Sequence, residues 1–237
     1  MMNYEPLISQ NLSYQRVLQS LQQQTFKNKI YPTITISRDP GSGGREIAKL
    51  VAQELGVKLY DKKQLTKLVA VKTGVDPKIL KKLMDEQIQP PMESIIETFL
   101  GLKRVSDQTF IKNLVSVVIE IASKRPAVIL GSGINFVLPY MSNFRVRITA
   151  PRKVLITCAK KYENKTTRQA RETIDKYMRI RHDFVYKFFS KNIAKAHYYD
   201  LVVNTNYFSV EDAAAIIVKG FRRKVMRTKK LVKISGK

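Results

Sequence analysis

Between residues 38 and 46 the chain reads Arg38-Asp39-Pro40-Gly41-Ser42-Gly43-Gly44-Arg45-Glu46. Three glycines in four positions, flanked by arginines, are residue types suited to holding phosphate. Glycine lets the backbone curl until several N–H groups face one oxyanion. Arginine adds a permanent cation whose planar fork can grip phosphate through paired hydrogen bonds.

Two glycine-loop templates of nucleotide sites test this reading. The pattern GxGxxG fits at Gly41 and Gly43 but puts Glu46 in place of the third glycine, while Asp61 stands where a ribose-binding acid would. The pattern GxxxxGK[ST] fits at Gly44 alone, with Asp39, Arg45 and Glu46 replacing its first glycine, its lysine and its hydroxyl. On pattern alone, a tight strand-to-helix turn without a ligand explains the glycines equally well. Other reactive residues are sparse. His182 and His197 are the only histidines and have no neighbouring carboxylate cluster. Cys158 is the only cysteine, which excludes an internal disulfide and a cysteine-built zinc site. No protein-bound metal is expected.

The loop needs a strand before it and a helix after it, and the sequence supplies both. TITIS (33–37) reads as a strand; Ile47, Leu50, Val51 and Leu55 mark one face of a helix that Gly56 stops. Further strands are expected at VKLYD (57–61), AVIL (127–130), FRVRITAP (144–151) and YDLVVNT (199–205). Helices are expected at 62–73, from Asp76-Pro77 to about Asp85, at 93–101, at 107–124, and across 151–195 with a break near Asn164-Lys165. Ser209 and Asp212 open a last helix, and residues 222–237 form a tail with eight basic residues and no acid. AVIL and LVV lack alternation, which reads as central strands buried on both faces. Residues 1–30 read as a helical appendage, with Leu12, Val17, Leu18 and Leu21 at near-helical spacing.

Strands separated by helices point to an α/β fold with a parallel sheet covered on both sides. At 237 residues, 44% of them apolar, the chain can bury a full core. No apolar run is long enough to span a membrane and no signal peptide opens the chain, so a cytoplasmic protein is expected. The net charge of +24 gives the surface a positive field that attracts polyanions.

The stretch ITISRDPGSGGREIAKLVAQELGVKLYDKKQL (34–65) resembles the opening of the cytidylate kinase-like family, a branch of the P-loop nucleoside monophosphate kinases. That opening runs from an apolar strand through SR, two variable residues and GSGGR to a helix and YDK, so arginine at the lysine position is a family trait. The resemblance continues through VILGSGINF, FRVRITAP and YDLVVNTNYFSVEDAA and covers about residues 32–220. It implies a P-loop NTPase-like three-layer sandwich of about five parallel strands, with a helical lid at about 151–195. It also implies transfer of the γ-phosphoryl group of ATP, with Mg²⁺, to a pyrimidine nucleoside monophosphate such as CMP or dCMP. The phosphates would lie on Gly41, Ser42, Gly43, Gly44, Arg45 and Glu46, with Arg38 in reach. Arg45 and Arg181 would be catalytic, Arg152, Arg179 and Arg181 are lid candidates, and Asp61 would face the acceptor. A surface ion pair of Arg38 with Asp39 or Glu46, and a helix cap at Asp61, are the competing readings of those two residues.

Three charges common in the family are absent, because Ser132, Leu155 and Met178 occupy their places. Arg152, Lys153, Lys160, Lys161 and Arg179 are near enough in sequence to substitute. The 151–195 segment holds 13 Lys/Arg against four acids, interleaved with Tyr162, Tyr177, Phe184, Tyr186, Phe188 and Phe189. That mixture suits either a solvated lid with core aromatics or a nucleic-acid surface. A catalytically degenerate fold that binds nucleic acid through the lid and tail is therefore the alternative to a kinase.

Overall fold

The computed structural model describes residues 29–72, 107–131, 133–163 and 166–235, with positions 16, 19, 20 and 23. The expected appendage at 1–28 beyond those positions, the helices at 76–85 and 93–101, Ser132 and the Asn164-Lys165 break lie outside the described residues. Five strands, β1 (Thr33–Arg38), β2 (Lys58–Tyr60), β3 (Ala127–Leu130), β4 (Asn143–Thr149) and β5 (Leu201–Asn204), form one parallel sheet in the order β2-β3-β1-β4-β5. Among the described residues six α-helices follow or flank the strands: α1 (Gly44–Glu54), α2 (Lys62–Lys72), α3 (Asp107–Lys124), α4 (Arg152–Glu163), α5 (Thr167–Phe189) and α6 (Val210–Ser235).

Side chains alternate across the sheet and build two cores. Ile34 and Ile36, with Val128, Leu130, Val146 and Ile148, pack against α1 and α6. Ala127 and Ile129 face the other way, against α2, α3 and the second half of α5. Both layers are dry, so the three-layer sandwich expected from the sequence is present.

The expectation of central strands buried on both faces is corrected at one strand. LVV is the edge strand β5, not a central one, and Val202 is 42% exposed. At the centre of the sheet lies β1, whose polar residues Thr33, Thr35 and Ser37 are buried. Their hydroxyls are hydrogen-bonded: Thr35 donates to Asn143 Oδ1 at 2.8 Å, Thr33 to the Tyr31 carbonyl at 3.0 Å, and Ser37 accepts from Arg147. Burial of these polar groups is tolerated because each has a partner.

The 151–195 stretch divides into two parts. Leu155, Ile156 and Ala159 of α4 meet Ala170 and Ile174 of α5 in a small core of their own, making a helical hairpin. Thr166 caps α5 by exchanging hydrogen bonds with Gln169. Beyond Arg181 the same helix enters the main core, where Phe184, Phe188 and Phe189 are buried and Phe110 meets Phe184 edge-on. The interleaved aromatics thus divide by position, and Tyr186 is exposed.

On the side remote from the glycines, α6 is fastened to the sheet by a charged clamp. Lys224 donates to Asp200 and to the Asn143 carbonyl, both at 2.8 Å, while Arg145 reaches Asp200 from its backbone N–H and its guanidinium. Burial pushes the Asp200 carboxyl up, but the hydrogen bonds from Arg145 and Lys224 outweigh it and hold the group below the ordinary 3.8. A carboxyl held low in the fold contributes stability above its unfolded value, lost as pH falls through the folded one. Asp200→Asn is therefore expected to lower the urea midpoint near neutrality, and the gap to wild type should close as the pH falls below about 4. A gap that stays constant over that range would exclude the ion pair as its cause.

Candidate functional site

The glycines sit where β1 leaves the sheet, at the carboxyl ends of the strands, the position at which open α/β folds bind ligands. The turn begins at Asp39, which is 7% exposed. Its N–H donates to the Ile148 carbonyl at 2.9 Å. Its carboxylate takes Arg147 Nη2 at 2.5 Å on one oxygen and the Thr149 hydroxyl at 2.6 Å on the other. Arg147 Nη1 also donates to the Ser37 hydroxyl at 3.2 Å. The Asp39 carbonyl then receives the Ser42 hydroxyl at 2.8 Å, and Thr205 donates to the Ser42 carbonyl at 3.2 Å. Ser42 thus braces the loop internally.

Gly41 and Gly43 adopt φ of 76° and 72°, a left-handed region where side chains are strained. A Cβ at Gly41 would also fall 2.5 Å from the Leu155 carbonyl, and one at Gly44 2.6 Å from Arg38 Cβ. Gly43 precedes α1 without any side-chain cap, so the first-turn N–H groups of that helix are left for an anion.

Cations gather around this turn. The guanidinium of Arg181, on α5, donates to the Arg38 carbonyl at 2.7 Å, which joins the hairpin helix to the end of β1. Burial first, and then the charges of Arg181 and Arg45, pull Arg38 down to about 9. Arg181 is pulled down to about 10, chiefly by burial and further by Arg147, although Asp39 acts in its favour. Lys62 is lowered by burial and by the same Arg181 and Arg38. The charges of Arg181 and Arg45 thus act on Arg38, and those of Arg181 and Arg38 on Lys62, so positive charge collects beside the turn. An anion there would relieve that repulsion.

The remaining residues singled out in the sequence divide between the turn and places apart from it. Arg45 stands at the start of α1, largely exposed, with Nη2 3.4 Å from Asp61 Oδ2. Asp61 caps α2, since its Oδ1 receives the Gln64 N–H at 3.1 Å while its own N–H donates to Gln64 Oε1. The carboxylate therefore serves as helix cap and as partner of Arg45 together. Arg38 forms no ion pair with Asp39 or Glu46 among the described residues, because Asp39 is taken by Arg147. Glu46 is exposed on the first turn of α1. Arg152 is held away by a two-pronged pair with Asp175 at 2.6 and 3.2 Å, which raises its pKa. Arg179 is exposed on α5 and stands near Asp175, not in the cluster around the loop. Leu155 is 1% exposed within the hairpin core, and Met178 is 38% exposed.

Arg147, Thr149 and Thr205 escaped the sequence reading. The strand FRVRIT carried the signal, since an arginine facing inward from a central strand must find an acid, and Asp39 lies 108 residues earlier. No helix among the described residues is long and apolar enough to cross a membrane.

A family model for the cytidylate kinase-like family matches residues 33–207. The chain belongs to that family. It is 27% identical over 198 residues to a cytidylate kinase of Archaeoglobus fulgidus, covering 82% of this chain and 97% of that one. A solved structure of an uncharacterized protein from Eubacterium ventriosum superposes with a TM-score of 0.59 at 17% identity, over 80% of this chain and 98% of that one. A gluconokinase from Sinorhizobium meliloti gives a TM-score of 0.49 at 12% identity, over 86% of this chain and 99% of that one. The Eubacterium ventriosum structure accords with the five-stranded parallel α/β fold.

Removing Arg147 would leave the Asp39 carboxylate buried without its cation, which costs about 3–5 kcal/mol. Arg147→Met is expected to lose about that much stability in urea unfolding, and adding Asp39→Asn should recover part of it. A single variant as stable as wild type would show that the pair does not hold the loop.

Proposed function

We propose that the protein transfers the γ-phosphoryl group of ATP to a pyrimidine nucleoside monophosphate of the CMP or dCMP type. The observation that carries this reading is the braced glycine turn at the open N-terminus of α1, with Arg45 on the first turn of that helix, Arg181 tied to the Arg38 carbonyl, and Lys62 near enough to feel both Arg181 and Arg38. Family membership supports it, as does the similarity to a relative named for cytidylate kinase activity.

Phosphoryl transfer asks a protein for position and charge more than for covalent chemistry. The N–H groups around Gly41–Gly44 would hold the donor's phosphates, and the sharp turn keeps side chains from blocking them. Arg45 would divide its guanidinium between those phosphates and Asp61, so that one residue senses the donor and the rim of α2. Arg181, fixed through the Arg38 carbonyl, would stand where charge builds up between donor and acceptor. Lys62 begins the helix on the acceptor side and adds a cation there.

No group of three metal-ligating side chains occurs among the described residues, so Mg²⁺ would arrive with the triphosphate and be held chiefly by the phosphates, where it would neutralise their charge.

The alternative, a nucleotide-binding fold that no longer turns over, is favoured by one specific observation. Leu155 is committed to the hairpin core and Arg152 to Asp175, so neither supplies a free cation from the start of α4.

A coupled ADP-release assay with CMP, dCMP, UMP and AMP separates the two. Turnover with CMP or dCMP is expected, and Arg45→Ala and Arg181→Ala should each lower kcat by about a hundredfold or more. ATP binding without turnover on any of the four acceptors would establish the alternative instead.

A further inference from the structure

The family match ends at residue 207, but α6 runs on from Val210 to Ser235 as one unbroken helix. Its first half belongs to the sandwich: Ala213, Ala214, Ile217 and Val218 are buried against the sheet. Gly220 then brings the helix close to β4, where a Cβ would fall 2.9 Å from the Phe144 ring. Past that point the helix lies beside the amino ends of β1 and β4, the end of the sheet opposite the glycine turn. The stretch read from sequence as a tail is thus a presented helix.

The two sides of this second half differ in chemistry. Phe221, Lys224, Val225 and Thr228 line a groove of about 130 Å³ with Ile30 and Phe144, and Lys224 is clamped to Asp200. The other side carries Lys219, Arg222, Arg223, Arg227 and Lys229, all exposed. Arg222 approaches Glu54 only to 3.8 Å, while Arg223, Arg227 and Lys229 form no ion pair among the described residues. No acid occurs after Asp212, and the sequence adds Lys230 and Lys233 before the helix ends. Residues 219, 223 and 227 follow one another at four-residue spacing, so their cations form a row with about 6 Å of rise between neighbours.

We propose that the outward face of α6 from Lys219 onward is a docking surface for the phosphate backbone of a nucleic acid, bound without regard to base sequence. A row of unneutralised cations fixed on a rigid helix gains by replacing the counterions that line a polyphosphate, and little ordering is needed on the protein side. The arrangement suits nucleic acid better than an anionic bilayer. A helix that settles into a membrane interface needs an apolar face turned outward. Here Phe221 and Val225 are turned to the protein, and Met226, 60% exposed, is the large apolar side chain left among the exposed residues of this stretch.

The test is fluorescence anisotropy of labelled single-stranded and duplex oligonucleotides of mixed sequence, titrated with full-length protein over a salt series. Two variants of equal charge change are compared. One is Arg223→Gln/Arg227→Gln/Lys229→Gln on α6; the other is Lys49→Gln/Lys67→Gln/Lys112→Gln, three exposed lysines elsewhere on the domain. Wild type should bind both probes with affinity that falls steeply with salt. The α6 variant should bind about tenfold or more weakly, with a salt slope reduced by about 2–3, while the control variant stays near wild type. Equal weakening by both variants would reduce the effect to diffuse attraction by the +24 charge and overturn the proposal. So would the absence of oligonucleotide binding, or α6-dependent binding to phosphatidylserine vesicles in preference to nucleic acid. Since the substituted residues lie away from the glycine turn, the outcome is independent of whether phosphoryl transfer is found.

Discussion

A buried carboxylate holds the glycine turn in shape. Asp39 is buried under the glycine turn, with Arg147 on one oxygen and Thr149 on the other, and its main chain is tied to Ile148 and Ser42. An ion pair placed that deep gives up solvation that its attraction only partly restores, so it adds little net stability. What it supplies is position. It fixes β1 to β4 at the level where the chain must reverse, and Gly41 and Gly43 can then take left-handed angles without the turn collapsing.

The same constraint orders the cations. Arg147 is neutralised by Asp39 and remains part of the scaffold, whereas Arg181 reaches the Arg38 carbonyl and Arg45 reaches Asp61. Arg181 links the layers, because its helix is anchored at one end by Phe184 and Phe188 in the main core and joined at the other to the α4 hairpin. Any movement of that hairpin must bend α5 on the amino-terminal side of the anchored aromatics or pivot at the start of α4. The Leu155 carbonyl lies directly against Gly41, so such a movement would be felt by the loop.

Much of the fold could be read from the sequence because glycine and proline punctuate it and the strands are short and apolar. The strand, turn and helix at the glycines were legible for the same reason. Partners supplied by distant segments were less visible. The hydroxyls of Thr35 and Ser37 in TITIS are buried because Asn143 and Arg147 of β4 satisfy them across the sheet. Leu155 read as a lost charge, and in the fold it is a hydrophobic contact that closes the hairpin. Arg152 looked like its replacement until Asp175, 23 residues on, was seen to hold it. In each instance the residue type was plain and the residue across from it was not.

The most direct measurement of the central claim is a crystal structure of the protein with a non-hydrolysable ATP analogue. If the turn braced by Asp39 is a phosphate cradle, the analogue's β-phosphate should lie within hydrogen-bond distance of the N–H groups following Gly41. Arg45 should then have moved from Asp61 onto the phosphates, with the Asp39–Arg147 pair unchanged. An analogue bound elsewhere, or a phosphate at the turn with Arg45 still on Asp61 and Asp39 released from Arg147, would contradict it.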